Sequence, residues 1–280
     1  MKKWILLVVF VLLGWTGCLL AATDELHGVT GVEWSSKYLW RGFEVYGSRP
    51  TIHPFVDLDL FGTGFGLNVT GHIPQGSGTF HGLGVQQFQR WDYLLYYHNM
   101  LFADQPYQTM YMVGYRYFNF PKLSSHDTTP FPPPRANGVD LQEMLGAFSF
   151  PKLLGVEGLV PTYVLVKLWP SNSCSAVANA SGFAHIFMLD YGWRTTCPIT
   201  DKEQVLNLHS EIVWNDGVGP AGQNVDHDWT NLVLGASTDY DLGNNVTFTP
   251  GLFHQISMDK SLGNDNKSDT WLSLMLKYKF

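Results

Sequence analysis

The feature that most narrows what this chain can fold into is apolar alternation with a period of two, repeated in stretches of about ten residues. It is clearest in the last stretch, where Leu272, Leu274, Leu276, Tyr278 and Phe280 alternate with Ser273, Lys277 and Lys279. Upstream, Ile52, Pro54, Val56 and Leu58 alternate with His53, Asp57 and Asp59, and Trp91, Tyr93, Leu95 and Tyr97 alternate with Arg90, Asp92 and His98. Phe65–Ile73, Tyr111–Tyr117, Val160–Leu168, Leu206–Trp214 and Leu232–Tyr240 repeat the pattern, and 32–42, 140–150, 183–193 and 245–256 carry weaker versions. Successive side chains of a strand point to opposite faces, so these stretches read as about twelve two-faced strands.

The links between them alternate in length. Phe61-Gly62-Thr63-Gly64 and Leu242-Gly243-Asn244-Asn245 are short, whereas 74–88, the proline-rich 119–139, 170–182, 215–228 and 257–269 are long and polar. Short turns on one side, long loops on the other and an even strand number fit a bacterial outer-membrane barrel. In lipid every backbone polar group needs a partner, so a sheet must close on itself. A soluble sandwich also alternates, but it does not account for the loop asymmetry, the strand length and the terminal aromatic together. The expected fold is therefore all-β: a transmembrane antiparallel up-and-down β-barrel of about 12 strands over 23–280. Trp34, Tyr38, Trp40, Trp91, Tyr97, Tyr117, Trp193 and Trp214 suit its interfacial girdles.

Residues 1–22 read as a cleaved signal peptide: Met1-Lys2-Lys3 is basic, Trp4 to Leu13 apolar, and Leu20-Ala21-Ala22 a cleavage site. Gly14, Thr16 and Gly17 interrupt the apolar run, and Asp24-Glu25 follow it. Cys18 leaves with this leader, so Cys174 and Cys197 remain, with a whole strand between them and no disulfide expected. The two-faced strands also explain the composition. Charged residues make up 15% of the chain, against about 25% in ordinary soluble domains, yet mean hydropathy is only −0.04. A formal charge of −7 argues against a nucleic-acid partner.

Strand-borne charges belong on the face away from lipid. The expected lumen-lining set is Glu33, Lys37, Arg41, Asp57, Asp59, Arg90, Asp92, Arg116, Glu143, Lys167, Asp190, Glu211, Asp239 and Lys277. In the 140–150 strand Leu141, Met144, Leu145 and Phe148 put apolar groups on both faces, and Glu143 goes inward because lipid rejects a carboxylate. Mixed charges in a hydrated lumen select solutes by size and polarity, so the expectation is a porin-like channel for passive diffusion of small polar solutes. The alternatives are a non-conducting structural or adhesive barrel that displays its loops, and a surface hydrolase. For the last, His209-Ser210 face opposite sides of a strand, while His254, Ser257 and Asp259, and Asp226-His227-Asp228, are read as solvated loop or strand-end residues. Gly217 to Gly222 match G-x-G-x-x-G without the strand and helix that motif needs. Asp259, Asn264, Asp265, Asn266 and Asp269 do not have EF-hand spacing. No enzyme activity, cofactor or metal site is expected. The expected partners are outer-membrane lipid, small polar solutes, and the barrel-assembly machinery, engaged through Tyr278 and Phe280 of the last strand.

Trp34-Ser35-Ser36-Lys37-Tyr38-Leu39-Trp40-Arg41-Gly42-Phe43, followed by Arg49-Pro50 and an aspartate-bearing strand, resembles the opening of the TorF-type porins. Those signal-bearing barrels typically begin with a Ser-aromatic-x-x-Arg-Gly stretch and a proline leading into strand two. Arg41, Gly42 and Pro50 match, Asp92 sits where the family often has an acidic residue, and Lys37 replaces a usual acidic one. The resemblance covers about 50 residues and implies a porin-like role without a settled substrate. The nucleoside-specific channels are a second, architectural likeness.

Overall fold

The computed structural model describes residues 25–76, 89–121, 140–171, 181–196, 203–217, 227–259 and 267–280. They form β1 His27–Ser35, β2 Leu39–Trp40, β3 Phe43–Glu44, β4 Thr51–Asp59, β5 Phe65–Pro74, β6 Arg90–Leu101, β7 Thr109–Asn119 and β8 Leu141–Ser149. The chain continues as β9 Leu159–Pro170, β10 Gly182–Thr196, β11 Glu203–Asp216, β12 Asp228–Thr238, β13 Tyr240–Gly243, β14 Val246–Ser257 and β15 Asp269–Lys279. The expected leader, Cys174, Cys197 and most of the 119–139 loop lie outside the described residues.

Every strand except β2 and β3 joins one sheet, ordered β12-β11-β10-β9-β8-β7-β6-β5-β4-β1-β15-β14-β13. A β12–β14 pairing connects its ends, so the sheet closes as a twelve-stranded antiparallel barrel in which β13 prolongs β12. First and last long strands lie side by side, with Trp34 opposite Leu274 and Thr30 opposite Tyr278. At one end the links are short: 60–64, 102–108, 150–158 and the Asn244-Asn245 turn. That turn has φ of 51° and 62°, the positive values a two-residue hairpin needs to match strand twist.

The register sorts the side chains into two faces. Val32, Leu95, Tyr115, Met144, Phe187, Leu208, Leu234, Leu252 and Leu276 share the outer face and are exposed, as the belt of a barrel in hydrocarbon must be. Ser35, Thr51, His53, His72, Arg90, Asp92, Glu143, Asn231, Gln255 and Ser273 share the other face and are buried. Trp34, Trp91, Tyr97, Tyr117, Trp193 and Trp214 fall on the outer face, in keeping with girdle positions.

Three expectations are corrected. The 32–42 stretch is not one strand. β1 stops at Ser35, and residues 36–50 turn into the barrel, where β2 and β3 pair as a small hairpin. Tyr38 and Trp40 therefore pack inside, not in a girdle. The second correction is β9. Glu143 pairs with Leu168 and Met144 with Lys167, so Val164, Val166 and Leu168 face inward and Lys167 faces outward. Both faces of β9 are apolar, so alternation alone could not orient it, and its neighbours decide. Lys167 lies at the long-loop end, with Nζ 4.4 Å from the Phe183 ring centre and 3.4 Å from Ser181 Oγ. A lysine there reaches the interface along its aliphatic stem.

The third correction concerns the interior, which is not uniformly polar. Leu94, Phe118, Leu141, Leu145, Val166, Leu168, Ala184, Ile186 and Val213 form a buried apolar cluster along the inner face of β6 to β11, joined by Trp40. One side of the lumen is a hydrophobic wall.

Candidate functional site: the hairpin inside the barrel

The interior is organised by segment 36–50. Trp40 pairs with Phe43 across the β2–β3 hairpin, and Arg41-Gly42 form its two-residue turn. Their φ values of 50° and 91° are both positive, as a type I′ turn demands. Glycine adopts this freely, whereas arginine is strained there. Phe43, Val45 and Tyr46 are buried, and this apolar burial draws the segment inward.

Polar contacts pin it at several points around the wall. Lys37 pairs with Asp269 of β15. Tyr46 Oη donates to the His72 carbonyl at 3.0 Å, and Gln255 Nε2 of β14 donates to the Gly42 carbonyl at 3.1 Å. Arg41 Nη2 lies 2.8 Å from Glu143 Oε2, while Arg116 Nη1 lies 2.9 Å from the other oxygen of the same carboxylate. The Glu143 side chain is 0% exposed and that of Arg41 9%. Two cations on one fully buried carboxylate satisfy both its oxygens, the arrangement that lets a buried charge persist.

Beside it lies a chain of side chains across β1, β4, β5 and β6. Ser35 Oγ is 2.8 Å from His53 Nε2, His53 Nδ1 is 2.8 Å from His72 Nδ1, and His72 Nε2 is 3.2 Å from Asp92 Oδ2. Arg90 donates from Nε and Nη2 to the two Asp92 oxygens, each at 2.8 Å. The direction of this chain follows from chemistry. An Asp92 carboxylate held by Arg90 only accepts, so His72 Nε2 donates to it. With His72 neutral, its Nδ1 accepts from His53 Nδ1, and His53 Nε2 accepts from Ser35. Both rings are then neutral single tautomers. Tyr38 stacks on His72 with ring centres 4.7 Å apart and accepts from Arg90 Nη2 at 2.7 Å. Burial pushes the Tyr38 and Tyr46 hydroxyls above the ordinary tyrosine range.

This is the geometry of a proton relay ending on a hydroxyl, but Ser35 is only 3% exposed. The chain instead straps four neighbouring strands and seats the hairpin. No set of three or more His, Cys, Asp or Glu side chains among the described residues is placed to hold a metal ion.

Of the sequence-chosen residues, Lys37 and Arg41 lie in the inward segment rather than in a wall strand. Glu33, Asp57, Asp59, Arg90, Asp92, Arg116, Glu143, Asp190, Glu211, Asp239 and Lys277 project to the inner face, and Lys167 alone of the fourteen projects outward. The structure groups Arg41, Arg116 and Glu143, then Arg90 and Asp92. Asp57 accepts from Tyr96 and Asn68, Asp190 bonds His209, and Lys277 and Thr249 bond Asp239. His53, His72 and Ser35 were missed as site residues. They obey the same inward parity as Asp57 and Asp59, so applying that parity to neutral polar residues would have found them. His254 faces outward toward Thr270 while Ser257 faces inward, so they do not form a pair. Tyr278 and Phe280 face outward beside β1 and β14.

A closed antiparallel barrel with an apolar outer belt and an inward-folded segment defines the fold class of outer-membrane β-barrels. Solved structures bear this out. The COG4313 outer membrane channel from Pseudomonas putida F1 aligns with TM-score 0.51 and 12% identity, over 95% of this chain and 98% of that one. The KdgM porin in complex with disordered oligogalacturonate aligns with TM-score 0.50 and 8% identity, over 91% of this chain and 99% of that one. No family model matches the sequence, and no curated protein matches it. The TorF-type likeness therefore remains a resemblance of the opening residues.

Proposed function

We propose that this chain is a bacterial outer-membrane channel that passes small polar solutes by diffusion, with segment 36–50 as its constriction. The observation that carries this reading is the ion-paired hairpin laid across a closed barrel. A purely structural barrel of this size needs no such element. Barrels of eight strands are filled by their wall side chains and those of sixteen leave an aqueous channel; at twelve, an inserted segment can set the aperture. The porin-like architecture of the aligned proteins supports the same reading. The long-loop end, where the hairpin enters, faces outward, and the short turns face the periplasm.

The test is conductance of the purified full chain in planar bilayers. Discrete openings are expected, with larger unit conductance when residues 39–46 are replaced by a short Gly-Ser link. Absence of openings across a range of salts and voltages overturns the channel and favours a non-conducting barrel that displays its loops.

A further inference from the structure

Most of the large apolar side chains that the wall leaves exposed face lipid, but Met100, 40% exposed, and Met110, 47% exposed, stand on the inner face. They have company there. In the antiparallel pairing of β6 with β7, His98 lies opposite Met112 and Met100 opposite Met110. All four share the inward parity of Arg90, Asp92 and Arg116, and the Tyr96 hydroxyl, two residues from His98, donates to Asp57 on the same face. Three of the chain's eight methionines thus fall on one hairpin beside a histidine.

Packing does not account for this patch. Met112 rests against the buried apolar cluster, but Met100 and Met110 lie beyond it, next to the 102–108 turn. An exposed thioether on a polar face gains little from burial. What it offers is a soft, polarizable sulfur. Met100 Sδ already accepts from Gln108 Nε2 at 3.1 Å, a bond to a weak acceptor that a metal ion readily replaces.

The register lets the four donors meet on one ion. Opposite Cβ atoms stand about 5 Å apart and same-face neighbours along a strand roughly 7 Å, so the centre of the quadrangle is about 4 Å from each. Met is unbranched with three rotatable bonds and covers that span. The flanks are small. The His98 N–H donates to the Gly64 carbonyl at 2.8 Å, and Ala147 and Ser149 of β8 stand opposite Met112 and Met110. His98 is exposed as well, so the patch opens on the lumen.

The donor set chooses the ion. Thioether sulfur selects copper(I) and imidazole also suits copper, whereas calcium and magnesium need oxygen ligands. Neutral donors match a single positive charge. Asp57 and Asp59 on the same inner face favour a cation, and Lys152 of the 150–158 turn is held at the Ala103 carbonyl at 2.6 Å.

We propose that His98, Met100, Met110 and Met112 form a binding site for a soft monovalent cation of the copper(I) class at the short-turn mouth of the lumen. The site goes beyond the channel reading, because a non-conducting barrel would present the same four donors.

The test titrates silver(I) nitrate, an air-stable ion of the same charge and softness, into the detergent-solubilised full chain in chloride-free buffer, read by calorimetry. Cys174→Ser and Cys197→Ser are introduced first, since thiolates also bind soft metals. One saturable silver(I) site per chain is expected. Met110→Leu with Met112→Leu keeps nearly the same volume and removes two sulfurs, so affinity should fall at least tenfold. His98→Gln should weaken binding several-fold, and it decides the matter if the double leucine variant loses the heat-modifiable migration of a folded barrel. Three results overturn the site: no saturable silver(I) binding, unchanged affinity in the variant that folds, or zinc(II) displacing silver(I) at equal concentration. Silver(I) binding without conductance in bilayers removes the channel and leaves the site, and conductance without silver(I) binding does the reverse.

Discussion

Glu143→Gln is the sharpest perturbation of the seated hairpin. Its carboxylate is fully buried and carries Arg41 and Arg116 at 2.8 and 2.9 Å. An amide of the same shape keeps one acceptor and loses the charge, so two cations remain on the inner face without their counter-ion. Breaking a buried pair by removing one partner costs about 3–5 kcal/mol. Arg116 is about a quarter exposed and recovers hydration cheaply, so the lower end applies. Arg41 sits on a hairpin rather than in the wall, and it escapes by leaving. About 3 kcal/mol shifts the ratio of released to seated hairpin roughly a hundredfold, since each 1.4 kcal/mol is tenfold. The wall of β7 and β8 loses no backbone bond, so the barrel should keep its resistance to detergent at room temperature. In single-channel recordings the variant should show larger and more frequent conductance fluctuations than wild type, and Arg41→Gln should add little to it in the double variant. Unchanged recordings, or strictly additive effects of the two substitutions, would refute the claim that this ion pair seats the hairpin.

Lys167→Ala should leave ion selectivity unchanged and alter stability by no more than about 0.5 kcal/mol, as a rim substitution does; a shift in reversal potential would return Lys167 to the lumen. Leu274→Arg, mid-strand on the outer face of β15, should cost about 2–4 kcal/mol in unfolding from lipid bilayers, and a neutral result would contradict the face assignment. The raised Tyr38 and Tyr46 values mean that the neutral phenols favour the seated hairpin. Their stabilisation is complete below the unfolded tyrosine value near ~10 and declines as pH climbs toward the higher folded values. Absorbance in the phenolate band should therefore show a late-titrating fraction that shrinks by two tyrosines in the Tyr38→Phe, Tyr46→Phe double variant.

The barrel was legible because lipid imposes a strict rule on each wall strand: the belt excludes charge, so period two survives in the sequence. The rule works best where the two faces differ, as in β4 with Asp57 and Asp59 against Val56 and Leu58. It lost its grip on β9, whose inner residues pack against a hydrophobic wall and so look like its outer ones. It failed on 36–50, where Trp40 and Phe43 answer to packing inside the barrel and not to lipid. The strand pattern ran on from Trp34 through Trp40 only because aromatics serve both environments equally well. Arg41-Gly42 held the corrective signal, since a two-residue turn flanked by paired aromatic positions is hairpin chemistry.

The same distinction explains why the charged positions were found before their arrangement was. Parity could place Arg116 and Glu143 on the inner face of adjacent strands, but it could not bring Arg41 to them, 102 residues away from Glu143 in the chain. That meeting depends on a loop entering the lumen, a choice made by the burial of Phe43, Val45 and Tyr46 together with the ion pairs that receive it. A barrel wall is written locally, strand by strand. The element folded inside it is written in long-range contacts, and there a single arginine at the tip of a strained turn outweighs the alternation of whole strands.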